Sequence, residues 1–165
     1  MTRPASIEQV WSWLGEVPDP EIPAISVVDL GIVRDVAFDG PELIVTVTPT
    51  YSGCPANTAI ALAIEAALHA HGLDRVRLRN RLAPAWTTDW ISDSGKEKLR
   101  AYGIAPPVGM AAGLERMLAR QPLTIACPRC GSTDTARISE FGSTPCKAQY
   151  RCRACLEPFD YFKCH

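Results

Sequence analysis

The chain has 165 residues, 47% of them hydrophobic and 21% charged, with a formal net charge of −1. These values exclude a disordered polymer, and the near-zero charge leaves no global electrostatic footprint for nucleic acid or an anionic membrane. No run approaches the roughly 18 apolar residues of a membrane span, and no apolar core follows Met1-Thr2-Arg3, so a cytoplasmic location is expected, where thiols stay reduced or bind metal.

Ser6 and Gln9 have the spacing of a capping box and predict a helix through Val10, Trp11, Trp13 and Leu14 that stops at Gly15. Pro18, Pro20 and Pro23 forbid a helix in the next stretch, which becomes a loop holding Asp19 and Glu21 between prolines. Residues 31–38 and 43–48 are rich in β-branched side chains and flank Asp39-Gly40-Pro41, so they predict a hairpin. The chain then reads Pro49-Thr50-Tyr51-Ser52-Gly53-Cys54-Pro55. Pro55 suits the first position of a helix over 56–71, with Ile60, Ile64 and Leu68 on one face and Gly72 after it.

A third strand is expected over 74–82. Val76, Leu78 and Leu82 alternate there with Arg75, Arg77, Arg79 and Arg81. The arginines form a solvated strand face or a docking face for an acidic partner protein. Without interleaved aromatics they do not form a base-stacking surface. Trp86 and Trp90 either cover the sheet or form an interface anchor. Ser94 and Glu97 predict a cap for a short helix ending at Gly103. Residues 104–122 read as a linker with one short helix near 114–119.

Six of the seven cysteines fall within 127–165, where six Lys/Arg and four Asp/Glu give a formal +2. So short a segment cannot build a sufficient core of its own. Cys127-x-x-Cys130 and Cys152-x-x-Cys155 supply two knuckles that share one tetrahedral metal, with Gly131 easing the first turn. Zinc is the default for four thiolates, and a rubredoxin-type iron uses the same geometry. Cys146, Cys164 and His165 are left for packing, ligand replacement or a second metal.

Cys54 is the lone cysteine of the larger part. At a helix N-terminus, the dipole and unpaired N–H groups favour a thiolate, which points to reactivity or metal ligation. The alternative is a small buried hydrophobe. His69 and His71 lie at the far end of the same helix, so no thiol-protease partner is evident.

Asp19-Pro20-Glu21-Ile22-Pro23, Val28-Asp29-Leu30-Gly31-Ile32-Val33 and Thr48-Pro49-Thr50-Tyr51-Ser52-Gly53-Cys54-Pro55 together resemble the MIP18 (DUF59) family over roughly residues 5–103. Trp86-Thr87-Thr88-Asp89-Trp90-Ile91, Tyr102-Gly103-Ile104-Ala105-Pro106-Pro107, Glu140-Phe141-Gly142-Ser143-Thr144 and Phe159-Asp160-Tyr161-Phe162-Lys163-Cys164 extend the resemblance to one branch. That branch comprises the D subunits of bacterial phenylacetyl-CoA 1,2-epoxidase (ring-oxygenase) complexes.

The resemblance implies an α/β (α+β) fold: a small mixed three-stranded sheet packed with helices, plus a C-terminal zinc ribbon. It divides the chain into a MIP18-like domain at 1–103, a linker at 104–122 and the ribbon at 123–165. It also implies an accessory subunit that is not catalytic alone and assists iron or iron–sulfur assembly in aerobic phenylacetate catabolism. Cys54 would be the transient iron or cluster ligand, with Asp19, Glu21, Asp29 and Thr50 around it. Cys127, Cys130, Cys152 and Cys155 would hold zinc. The implied partners are the oxygenase and reductase subunits of that complex, with room for a homodimer and no role for nucleic acid or membrane. The carboxylate–histidine helical motifs of a di-iron oxygenase are missing from the chain. The alternatives are a thiol-dependent enzyme acting through Cys54, and a zinc ribbon that binds protein or nucleic acid.

Overall fold

A computed structural model describes residues 5–51, 53–109 and 123–163. The expected short helix at 114–119, Cys164 and His165 lie outside the described residues. The chain forms two compact units, residues 1–86 and 87–165.

In the first unit, α1 spans Ile7–Leu14. Ser6 caps it as expected: its hydroxyl accepts from the Gln9 N–H, and the Gln9 side chain accepts from the Ser6 N–H. β1 (Val33–Asp39) and β2 (Glu42–Val47) form the antiparallel hairpin. β1 starts later than its sequence suggests, because Gly31 sits at φ +72° and closes a turn over 26–31 before the extended backbone begins. α2 (Ala56–Ala70) follows, and its Ile60, Ile64 and Leu68 are buried. β3 (Val76–Asn80) then pairs in parallel with β2, so the sheet order is β1-β2-β3 and the sheet is mixed. Parallel pairing requires the crossover that α2 supplies. α1 packs on α2 and β1, and α2 packs on β3. The core gathers Val10, Leu14, Ile25, Val27, Ile32, Leu43, Val45, Ile64 and Leu68.

Two local expectations change, and one choice between alternatives is decided. β3 ends at Asn80, so Leu82 lies past the strand and is 65% exposed rather than turned inward with Val76 and Leu78. Pro55 is the residue flanking α2 (φ −65°, ψ −20°) rather than its first helical residue. Trp86 is core: it is buried, and its indole N–H donates to the Leu30 carbonyl at 2.8 Å.

In the second unit a short 3₁₀ turn at Thr88–Trp90 precedes α3 (Asp93–Tyr102). The cap of α3 is Ser92, not Ser94. Ser92 is still extended (ψ 158°) and its hydroxyl accepts from the Gly95 N–H at 2.9 Å, whereas Ser94 is already inside the helix. Glu97 instead pairs with Arg100 one turn on. β4 (Ile104–Ala105), β5 (Thr135–Ser139), β6 (Lys147–Cys152) and β7 (Pro158–Phe162) form a sheet ordered β4-β7-β6-β5. β4, at the start of the expected linker, pairs in parallel with β7 and is a member of the ribbon's sheet. A small buried cluster lies here, of Ala105, Ile125, Cys127, Ala148, Cys152, Phe159 and Tyr161, and Ile91, Leu99, Ile104 and Phe162 are buried as well.

Candidate functional site

The ribbon ends in two knuckles built alike. In the first, the Gly131 N–H donates to the Cys127 carbonyl and the Cys127 N–H to the Ser132 carbonyl, both at 2.9 Å. In the second, the Cys152 N–H donates to the Glu157 carbonyl at 2.9 Å and the Cys155 N–H to Cys152 Sγ at 3.5 Å. Each knuckle turns through a left-handed residue just after its second cysteine: Gly131 at φ +75° and Leu156 at φ +67°. Glycine takes that conformation freely, and leucine does so under strain.

The four sulfurs lie within 4.8 Å of one another. Cys127 and Cys155 are 3.8 Å apart, and Cys130 and Cys152 are 3.6 Å apart. A tetrahedron with metal–sulfur bonds of about 2.3 Å has edges of about 3.8 Å, so the thiols are set to metal-ligand spacing. A disulfide would bring sulfurs to about 2.05 Å. Cys127 and Cys152 are buried, while Cys130 and Cys155 reach the surface.

The Cys155 N–H is the largest influence on the Cys152 thiol. With the Ala154 N–H and neighbouring thiols it outweighs burial and holds Cys152 at about 7. At Cys155 the Glu157 N–H pulls downward, but burial and the three neighbouring thiols prevail and push it up to about 12. The cluster therefore accepts one negative charge readily and resists the next. A divalent cation is what allows all four to ionise together.

Cys146 is not in this group. It is half-buried, with Sγ 3.0 Å from the Thr144 hydroxyl. The neighbouring loop is held from below. Lys147 is 4% exposed with Nζ 3.8 Å from Asp160, and Asp160 accepts from the Ser143 hydroxyl at 3.0 Å. A Cβ at Gly142 would stand 2.7 Å from the Asp160 carboxylate, so that position has no room for a side chain.

Cys54 occupies the loop between β2 and α2. Its N–H donates to the Tyr51 carbonyl and its own carbonyl accepts from the Asn57 N–H, both at 3.2 Å; Asn57 Nδ2 also donates to the Tyr51 carbonyl. Cys54 is half-buried, and its sulfur has no hydrogen-bond partner among the described residues. Because β2 and β3 run parallel, this loop lies at the carboxyl ends of both strands, where open α/β sheets commonly carry their sites.

The other candidates divide. Asp19 is buried, and its Oδ1 accepts from the Glu21 and Ile22 N–H groups at 2.9 and 2.8 Å, so it shapes the proline loop. Asp29 is buried beside Ser26, whose hydroxyl donates to it at 3.1 Å. Glu21 and Thr50 are half-buried. The structure thus joins Asp19 to Glu21 and Asp29 to Ser26, while no hydrogen bond or ion pair joins any of these carboxylates to Cys54. His71 stacks on Trp13 at 4.1 Å and His69 is exposed at the same end of α2. A helix of 15 residues puts that end roughly 20 Å from Cys54, so neither histidine serves as its base.

Sequence reasoning missed Ser26, whose role needs the turn it closes. It also missed Thr48, whose buried hydroxyl has no hydrogen-bond partner among the described residues. It missed a cleft of about 410 Å³ lined by Ile60, Ile64, Asn57, Asn80 and Leu82 among others, which Asn57 links to the backbone of the Cys54 turn.

Comparison with known proteins covers both units. The family described as "Iron-sulfur cluster assembly protein" matches residues 7–77, and "PaaD zinc beta ribbon domain" matches residues 112–163. The chain is 48% identical over 161 residues to an Escherichia coli protein named as the putative D subunit of 1,2-phenylacetyl-CoA epoxidase, covering 98% of this chain and 94% of that one. Among solved structures, a DUF59 domain of unknown function from Bacillus anthracis superposes with a TM-score of 0.52 at 26% identity, covering 56% of this chain and 89% of that one. A conserved hypothetical protein from Thermotoga maritima gives 0.51 at 30% identity, covering 60% and 98%.

Proposed function

Since this chain belongs to the family of that Escherichia coli protein, we propose that it is an accessory subunit of a bacterial phenylacetyl-CoA epoxidase that assists maturation of a metal centre. The observation that carries this reading is the near full-length match, which spans both units; Cys54 lies within the range of the iron–sulfur assembly family and the four ribbon cysteines within that of the zinc ribbon. In this reading Cys127, Cys130, Cys152 and Cys155 hold a zinc ion whose chemistry is structural: four protein thiolates close the site and leave no position for a reactant. Cys54 is the working thiol. It ligates iron or an iron–sulfur unit in passing, as cargo, and yields it to the oxygenase or reductase component. Asp19 and Asp29 each hold their own turn, the first through the Glu21 N–H, and Thr50 stands in the same loop as Cys54.

The test is co-expression of the epoxidase subunits with wild-type chain or with Cys54→Ser. The expected result is at least a tenfold loss of epoxidase activity with Cys54→Ser. Iron or acid-labile sulfide in the recipient protein should fall, and zinc in this chain should be unchanged. Full activity and full metal content with the variant would overturn the reading.

A further inference from the structure

We propose that the open edge of β3 is a docking strand for an acidic segment of a partner protein. That segment pairs as an added β-strand, with carboxylates on the arginine side and an apolar residue in the cleft lined by Ile60, Ile64, Asn80 and Leu82. The proposal rests on the reading that this chain serves a partner protein.

β3 is the last strand of its sheet, and among the described residues no strand pairs with its outer edge. Arg75, Arg77, Arg79 and Arg81 are all exposed, while Val76 and Leu78 between them are half-buried. Arg77 pairs with Glu42 at 3.0 Å. Arg75, Arg79 and Arg81 have no acidic partner among the described residues. Residues 1–86 contain ten Asp/Glu and six Lys/Arg, so four of the six cations of an acidic unit fall at alternate positions, two in the edge strand and one just beyond each end of it.

Edge charges ordinarily discourage strand addition. A row of one sign discourages it selectively: it repels basic strands and attracts acidic ones. Side chains of an added strand alternate with a period of two, as those of β3 do. On one face they would meet the arginines. On the other they would meet the side where Asn80 and Leu82 open into the 410 Å³ cleft floored by Ile60 and Ile64. Leu82, 65% exposed, gains cover from an apolar residue placed there. Asn57 lines the same cleft and donates its N–H to the Cys54 carbonyl, so a segment seated in the cleft lies beside the turn that carries the thiol. The occupant is therefore a peptide with alternating acidic and apolar residues. A nucleic acid offers phosphates to the arginines and nothing apolar for the cleft.

The experiment uses the full chain and three fluorescent peptides: alternating Glu and Val, alternating Lys and Val, and one with the first composition but its Glu and Val in separate blocks. Fluorescence anisotropy at low salt is expected to show binding of the Glu–Val peptide at least tenfold tighter than of the other two. Arg79→Glu combined with Arg81→Glu should reverse the preference toward the Lys–Val peptide, which a misfolded variant would not do. Equal binding of the blocked peptide, binding of single-stranded DNA in place of peptide, or no reversal in the variant overturns the proposal.

A parallel pull-down of purified epoxidase subunits separates it from the functional reading. If the wild type captures a subunit but no peptide, the edge is not the docking strand and the functional reading stands. If the peptides bind with charge reversal and no subunit is captured, the edge is a docking strand and the functional reading fails.

Discussion

Residues 1–86 bury leucine, isoleucine and valine from two helices, a three-stranded sheet and the proline loop, including Leu14, Ile25, Leu43, Ile64 and Leu68. The buried cluster under the ribbon in residues 87–165 has two cysteines among its seven members and draws the rest mostly from short strands. The first unit closes on apolar area removed from water, a distributed contribution that no single residue dominates. The second concentrates its stability at four sulfurs. The proposal puts the working thiol at Cys54 for the same reason: the four ribbon sulfurs are grouped with one another, whereas the Cys54 side chain has no hydrogen-bond partner among the described residues.

The largest test of that contrast is removal of the metal or of one ligand. Cys127→Ser, or a strong chelator, should release the ion and open residues 87–165 to protease while residues 1–86 stay protected. A structural zinc is worth about 10 kcal/mol or more of apparent folding free energy. Metal analysis with limited proteolysis and mass spectrometry reads both halves at once, and equal loss of protection in the two units would break the comparison. Lowering the pH should act in the same direction. Metal-bound thiols ionise below their ordinary range, so the stability they supply is present above it and is lost as protons displace the ion.

Next comes the first unit's core. Ile64→Ala should cost about 2–5 kcal/mol by the cavity it leaves, read by urea denaturation, with zinc content unchanged. Trp86→Phe should cost about 1–3 kcal/mol, because it leaves the Leu30 carbonyl without its indole donor; a Tm shift confined to the first unit checks it. Ser92→Ala should cost about 1 kcal/mol at the head of α3, and Ser94→Ala much less, which tests which serine caps that helix. The smallest change runs the other way. Leu156→Gly should stabilise the ribbon by roughly 0.5–1 kcal/mol, since Leu156 is left-handed and 61% exposed, and slower metal loss to chelator would report it.

Much of the molecule is legible in the residues themselves where the cause is local. The Ser6–Gln9 box, the hairpin around Gly40, the apolar face of α2 and the cysteine spacing each depend on neighbours a few positions away. Ser92 and Ser94 stand two residues apart, both with plausible capping partners, and only the backbone decides between them. The pairing of β4 with β7 joins residues more than fifty apart, and a two-residue strand between prolines and a glycine gives no periodic signal. Lys147 reads as a surface residue until Asp160, from the next strand, is brought beside it. The cleft lined by Asn57, Ile60 and Ile64 draws on α2 and the ends of β2 and β3, so no stretch of sequence announces it.

The uneven cover over the four sulfurs sets a direction for exchange. With Cys127 and Cys152 inside and Cys130 and Cys155 at the surface, a chelator or an oxidant meets the second cysteine of each knuckle first. The outer pair is therefore the door and the inner pair the hinge. A bound ion would be reached first through Cys130 or Cys155, with Cys127 and Cys152 the ligands farther from solvent. A ribbon built this way would give up its ion at one face before it comes apart, so the lifetime of the bound metal would set the lifetime of the fold.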